Sequence, residues 1–266
     1  MPKLIAATLF AALMTGCATT SHAPASVPAA ARAELAPTGT LRAAMNMNNV
    51  YMVTKDPASG ELRGVSVDLM HELGKRLGVP VQFIGYPSPG EISDAARSNA
   101  WDVAMLAIEA TRAETIAFSP AMTEIEATYM VRGDSPLKTA AQADAPGIRI
   151  SASEKAGYEL FLSRNLRQAT VVRAKGDDAS FKAFTEQRLD AWANLKPRLL
   201  LYLPRLPGAR LLDGAFMSVQ HGIGTPRDRR AGAEYLKQFV EEMNASGFVA
   251  RSIERHRIPG LSPIKR

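Results

Sequence analysis

Val65-Ser66-Val67-Asp68-Leu69-Met70-His71-Glu72-Leu73-Gly74-Lys75-Arg76-Leu77-Gly78-Val79-Pro80-Val81-Gln82-Phe83-Ile84 is the stretch on which the reading of the fold turns. Val65, Leu69, Leu73 and Leu77 recur at every fourth residue, which stacks them on one face of a helix. Ser66 is placed to cap its start. Gly78 stops it, because glycine enters the left-handed region without steric penalty. Val81–Ile84, a short apolar run directly after, reads as a strand. Upstream, Leu41–Met45 follows Gly39-Thr40 and reads as another strand. Downstream come a short helix over Glu91–Ser98 and a buried strand over Val103–Ile108. Helices inserted between successive strands are the usual way to join parallel neighbours, so this run predicts a parallel sheet flanked by helices.

The alternation restarts after about residue 127. Thr128–Val131, Gly147–Ile150, Val171–Arg173 and Asp190–Asn194 read as strands. Helices carrying Tyr158, Leu160, Phe161 and Leu162, then Phe181, Phe184 and Leu189, lie between them. Gly222–Gly224 is a further short strand. A helix with Leu236, Phe239, Val240 and Met243 on one face ends at Gly247, and Phe248–His256 is the last helix. The expectation is an α/β protein of two lobes, each a mostly parallel sheet flanked by helices.

The N-terminus reads as an address. Lys3 precedes an apolar run from Leu4 to Met14, too short to span a bilayer as a permanent helix, and small residues lead to Cys17. Cys17 is the only cysteine, so the remainder has no thiol for a disulfide or a thiolate metal site within one chain. Met14-Thr15-Gly16-Cys17 resembles a bacterial lipobox, with Met14 where leucine is commoner. Residues 1–17 are therefore read as a lipoprotein-type signal with Cys17 as the lipidation site, a plain secretory signal being the alternative. Residues 18–38, rich in Ala, Pro, Ser and Thr, are expected to be a flexible tether.

The 266 residues carry a formal charge of +6, but acidic residues interrupt the basic ones, as Asp228 does among Arg227, Arg229 and Arg230. That is a solvated surface rather than a nucleic-acid face. There is no GxGxxG after a strand and no GxxxxGK[ST], so no nucleotide cofactor is implied. His22, His71, His221 and His256 are far apart and none has a partner at metal-ligand spacing. No serine sits in a GxSxG elbow.

Five segments in order resemble the family 3 extracellular solute-binding proteins of ABC importers: Gly39-Thr40-Leu41-Arg42, Leu62-Arg63-Gly64-Val65-Ser66-Val67-Asp68-Leu69, Trp101-Asp102-Val103-Ala104, Thr111-Arg112-Ala113-Glu114-Thr115-Ile116-Ala117-Phe118-Ser119-Pro120 and Arg188-Leu189-Asp190-Ala191. The resemblance spans about residues 39–256. It implies a type II periplasmic binding protein fold with two lobes, 39–122 plus 222–266 and 127–217. Two hinge segments near 122–126 and 217–221 would join them. It further implies a small solute captured in the interlobe cleft, delivery to an ABC permease, a periplasmic or cell-envelope location, a monomer and no enzymatic activity. A sensor on the same fold, or an enzyme of the cyclohexadienyl dehydratase kind, is the alternative, and Glu109 beside Arg112 is the only hint of the latter.

The resemblance makes Arg112 the ligand's carboxylate partner, and a guanidinium fork suits that task. The other positions depart from the family. Ala107 and Glu109 stand where hydroxyl residues are usual, so one hydroxyl is lost and a negative charge is brought near Arg112. Leu195 replaces the aspartate that receives an amino acid's ammonium, which makes the standard pose of an α-amino acid doubtful. Strand alternation should turn Asn194 and Lys196 away from the face of Leu195. Asn46, Asn48 and Asn49 either bond a polar ligand or shape a turn. Tyr51 stacks on the ligand or packs in its loop. Ser153 and Lys155 lie where a loop meets a helix N-terminus, a natural anion site. Tyr158, Trp101 and Trp192 are expected in the core.

Overall fold

The computed structural model describes residues 26–264, so the expected signal segment and Cys17 lie outside the described residues. One curled sheet forms the spine. Its strands run in the order Val81–Tyr86, Leu41–Asn46, Val103–Ala107, Met217–Pro226, Thr123–Val131, Ala191–Leu195, Arg149–Ser153 and Thr170–Ala174. The first three pair in parallel with one another, as do the last three. Met217–Pro226 and Thr123–Val131 are long antiparallel strands joining the two groups. The result is a mixed α/β architecture of two lobes, parallel within each and antiparallel at the junction. The segments expected as hinges, 122–126 and 217–221, fall largely at this junction, where Met217 faces Ala127 and His221 faces Thr123.

Local sequence accounts for most elements. The helix over Val65–Leu77 buries Val65, Leu69, Leu73 and Leu77 as their spacing requires, and Gly78 closes it at φ 66°. Ser66 is not its cap: Gly64 takes that position, while the buried Ser66 hydroxyl donates to the Met105 sulfur at 3.3 Å. Trp101 and Trp192 are fully buried, with their indole N–H groups on the Ile92 carbonyl and the Ser180 hydroxyl, each at 2.9 Å.

Within its described part, residues 26–38, the tether expected over 18–38 needs correction. Ala29–Leu35 is a helix packed against the long helix Arg230–Ala245. Ala31 and Leu35, four apart, are fully buried, and Glu34 accepts the Gly232 N–H at 2.8 Å. Alanine-rich composition reads as linker, yet alanine is also the best helix former, and a packing partner 200 residues away in the chain decides between the two. A second difference is the helix Lys196–Tyr202, which has no apolar periodicity of its own and follows the strand directly. Among the described residues no helix is long and apolar enough to cross a membrane.

Candidate functional site

Between the two lobes lies a cavity of about 430 Å³. Its floor is the sheet junction, reached by Ala107, Val219 and His221. One wall comes from the loop after the first strand and the short helix Pro89–Asp94. The other comes from Ser153–Tyr158, the turn entering Gly176–Glu186, and the end of Ala191–Leu195. The volume falls in the range of small-molecule sites.

Arg112 opens a short 3₁₀ turn after the Val103–Ala107 strand, and Ile116–Phe118 then pairs with the Met217–Pro226 strand. The Ser119 hydroxyl accepts the Ile223 N–H at 3.0 Å and fixes that return. The turn swings the guanidinium inward. It is 3% exposed, donating to the Ala107 carbonyl at 2.9 Å and, across the cleft, to the Lys155 carbonyl at 2.8 Å. No carboxylate among the described residues pairs with it. Burial pushes its pKa down to about 10, with the charge of Glu109 opposing.

Glu109 does not face the cavity. Its carboxylate is taken by both terminal nitrogens of Arg164, from helix Gly157–Asn165 of the other lobe. Arg112 therefore keeps its charge for the cavity, and the acid–base hint carried by Glu109 loses its support.

Lys155 is held in the left-handed region at φ 57°, a costly conformation for a residue with a side chain. Its N–H donates to Glu159 at 2.9 Å, its carbonyl accepts Arg112, and its ammonium pairs with Asp94 across the cleft at 2.6 Å. That pairing raises the Lys155 pKa. Ser153, largely buried, lines the same wall. Gly157 starts the adjoining helix, and a Cβ there would lie 2.7 Å from that of Ala107. Only glycine lets this helix end approach the floor so closely.

Asn46 and Asn48 line the cavity and also shape the turn. Asn46 Oδ1 accepts the Asn48 N–H at 3.3 Å, and Asn48 Nδ2 donates to the Pro87 carbonyl. Tyr51 is buried beneath Arg198, whose guanidinium carbon lies 5.7 Å from the ring centroid, and it lines the cavity. Leu195 lines the cavity. Asn194 lines it too, contrary to strand alternation. Residue 195 is the strand's last and caps the following helix, and the Asn194 side chain folds forward to accept the Leu195 N–H at 2.7 Å. Lys196 instead reaches Glu126 at 2.8 Å.

Among the lining residues that escape the sequence reading, four carry polar or charged groups with a part in the site. Asp177, in the first turn of Gly176–Glu186, pairs with Arg198 Nε at 2.8 Å and accepts Asn194 Nδ2 at 2.9 Å. Arg198, on the unforeseen helix, also donates to the Asn48 carbonyl across the cleft at 2.9 Å. Tyr158, expected in the core, is buried but borders the cavity. Its hydroxyl lies near Ser153 without a partner of ordinary hydrogen-bond geometry, and burial raises its pKa. His221 is the fourth. It is 4% exposed, its Nδ1 has no hydrogen-bond partner among the described residues, and burial and the charge of Arg112 push its pKa down to about 3. Hinge placement was the only sequence signal for it. No cluster of three metal-ligating side chains occurs among the described residues.

Two lobes joined by long strands, with a cavity of mixed polar and apolar lining at the junction, define a cleft-type solute-binding protein. Residues 41–257 match the bacterial extracellular solute-binding proteins, family 3, and the chain belongs to that family. Its fold is shared with holo ArgBP from T. maritima, at TM-score 0.65 and 21% identity over 84% of this chain and 97% of that one. It is also shared with AbpA from Streptococcus pneumoniae bound to L-arginine, at TM-score 0.68 and 16% identity over 84% and 96%. A third similar structure is the ancestral amino acid-binding protein AncCDT-1, a precursor of cyclohexadienyl dehydratase, at TM-score 0.67 and 20% identity over 84% and 97%. Among curated proteins no relative matches the sequence. Membership of an extracellular family fits a periplasmic location.

Proposed function

We propose that this protein is the capture component of an ABC-type uptake system, taking a small carboxylate-bearing solute between its lobes and presenting the closed form to a membrane permease. The observation that carries this reading is Arg112, a buried guanidinium that lines the cavity without a carboxylate partner among the described residues. A buried cation in that state is expensive until an anion joins it, and a planar fork favours a carboxylate. Ser153 and Lys155 precede a helix whose N-terminus adds favourable potential for an anion, and Asn46, Asn48 and Tyr51 supply polar and aromatic contacts on the facing wall. Lys155 meets Asp94 and Arg198 meets the Asn48 carbonyl across the cleft, contacts suited to hold the closed form of two lobes hinged at residues 122–126 and 217–221.

Cys17 as a lipidated first residue would tether this receptor to the membrane, a reading that rests on the Met14-Thr15-Gly16-Cys17 motif and on its being the sole cysteine. The acid–base partner an enzyme of the dehydratase kind would need beside Arg112 is not supplied by Glu109, which supports binding over turnover.

The test is a thermal-shift panel of carboxylic acids, amino acids and short peptides on purified protein. A true ligand at one hundred times its Kd adds about 2.7 kcal/mol of stability and a clear rise in Tm. Arg112→Ala should abolish that rise. No response across the panel, or an unchanged response in Arg112→Ala, sinks the reading.

A further inference from the structure

The corner of the cavity around Arg112 is hostile to a second positive charge. His221 stands opposite Ala107 across the sheet, and the Ala107 carbonyl holds Arg112. This places an almost fully buried imidazole, its Nδ1 unpartnered, beside the one guanidinium of the cavity that lacks a carboxylate partner among the described residues. A neutral imidazole offers either a donor or an acceptor at that atom. Elsewhere Asp177 is matched by Arg198 and Asn194 and Asp94 by Lys155, while Lys175 adds an exposed cation to the lining. Of the remaining lining acids, Glu91 is exposed and Glu154 half-buried. At position 195 the side chain is leucine, which cannot pair an ammonium.

We propose that the cavity selects a carboxylate whose neighbouring group is an uncharged oxygen, a 2-hydroxy or 2-oxo acid in preference to an α-amino acid, with Arg112 on the carboxylate and His221 on that oxygen. The inference rests on the carboxylate reading above and narrows it. An α-ammonium group seated there meets the same burial and the same Arg112 field that hold His221 neutral. It finds no buried free carboxylate among the described residues to offset them. A hydroxyl or carbonyl oxygen carries no such penalty and supplies the missing partner of a buried polar atom.

The experiment is calorimetric titration of the purified protein with matched pairs: lactate and alanine, malate and aspartate, 2-hydroxyglutarate and glutamate, 2-hydroxyisocaproate and leucine, phenyllactate and phenylalanine, with the corresponding 2-oxo acids. At least one hydroxy or oxo acid should bind roughly tenfold or more tightly than its amino twin. His221→Leu should erase that preference, and His221→Gln, which keeps a neutral hydrogen-bonding group, should retain most of it. Amino acids binding equally or better, with Arg112 required, would overturn this inference and leave the carboxylate reading intact. Binding by neither series would bring down both. A preference that persists in His221→Leu would remove His221 from the site. If His221→Leu does not fold, His221→Gln and the wild-type ratios still decide.

Discussion

The carboxylate of Glu109 is gripped by both terminal nitrogens of Arg164, while Arg112, three residues along, is left to the cavity. Arg164 belongs to the opposite lobe, so one ion pair both links the lobes and engages the carboxylate whose charge acts on Arg112. Glu109 is buried and Arg164 is 41% exposed, which moderates the strength of the pair.

Glu109→Gln or Arg164→Ala should therefore loosen closure without abolishing recognition. A loss of about 1 kcal/mol in the closed form corresponds to a roughly fivefold weaker Kd. Titration, together with a larger radius of gyration by small-angle scattering in the presence of ligand, checks this.

Arg112→Met separates stability from function. Folding disfavours the charged form, since the pKa falls from 12.5 to about 10 through burial, and methionine removes that penalty. It also leaves the Ala107 and Lys155 carbonyls without this donor, a loss of similar size. The two effects should cancel to within about 1 kcal/mol in urea unfolding, while carboxylate binding falls more than tenfold.

His221 gives folding stability a defined pH dependence. Its pKa is about 3 in the folded chain against 6.5 when free, so between these values only the unfolded chain takes the proton. Stability contributed by the neutral imidazole is present above pH 6.5 and is lost as pH falls toward 3. Going from pH 7.5 to 5 should remove ~2 kcal/mol through this residue, and His221→Gln should reduce the difference between urea midpoints at the two pH values accordingly.

Asp102 is a structural keystone of the Trp-Asp segment. It is fully buried, accepts the Arg42 backbone N–H at 2.9 Å and the Arg42 guanidinium at 3.0 and 2.8 Å, and pairs with Arg229 at 2.6 Å. Asp102→Ala strands two cations and should lose about 3–5 kcal/mol, read by thermal or urea unfolding. Cavity residues are untouched, so any folded fraction should bind ligand with wild-type affinity.

The sequence by itself determined most of the elements and their order, because helix and strand periodicities and the glycine stop at Gly78 are local properties of the chain. It also pointed to Arg112, through the family resemblance carried by the ten residues from Thr111 to Pro120, and the fold brings that side chain to the cavity. The tertiary structure alone decided which charges remain available. Glu109 meets Arg164, Asp177 meets Arg198, and His221 meets Arg112 only when segments distant in the chain are folded together. Even the helix at Ala29–Leu35 and the inward turn of Asn194 depend on a packing partner or on a strand's end. Pairing of buried charges is a property of three-dimensional neighbourhood and desolvation, and no local spacing encodes it.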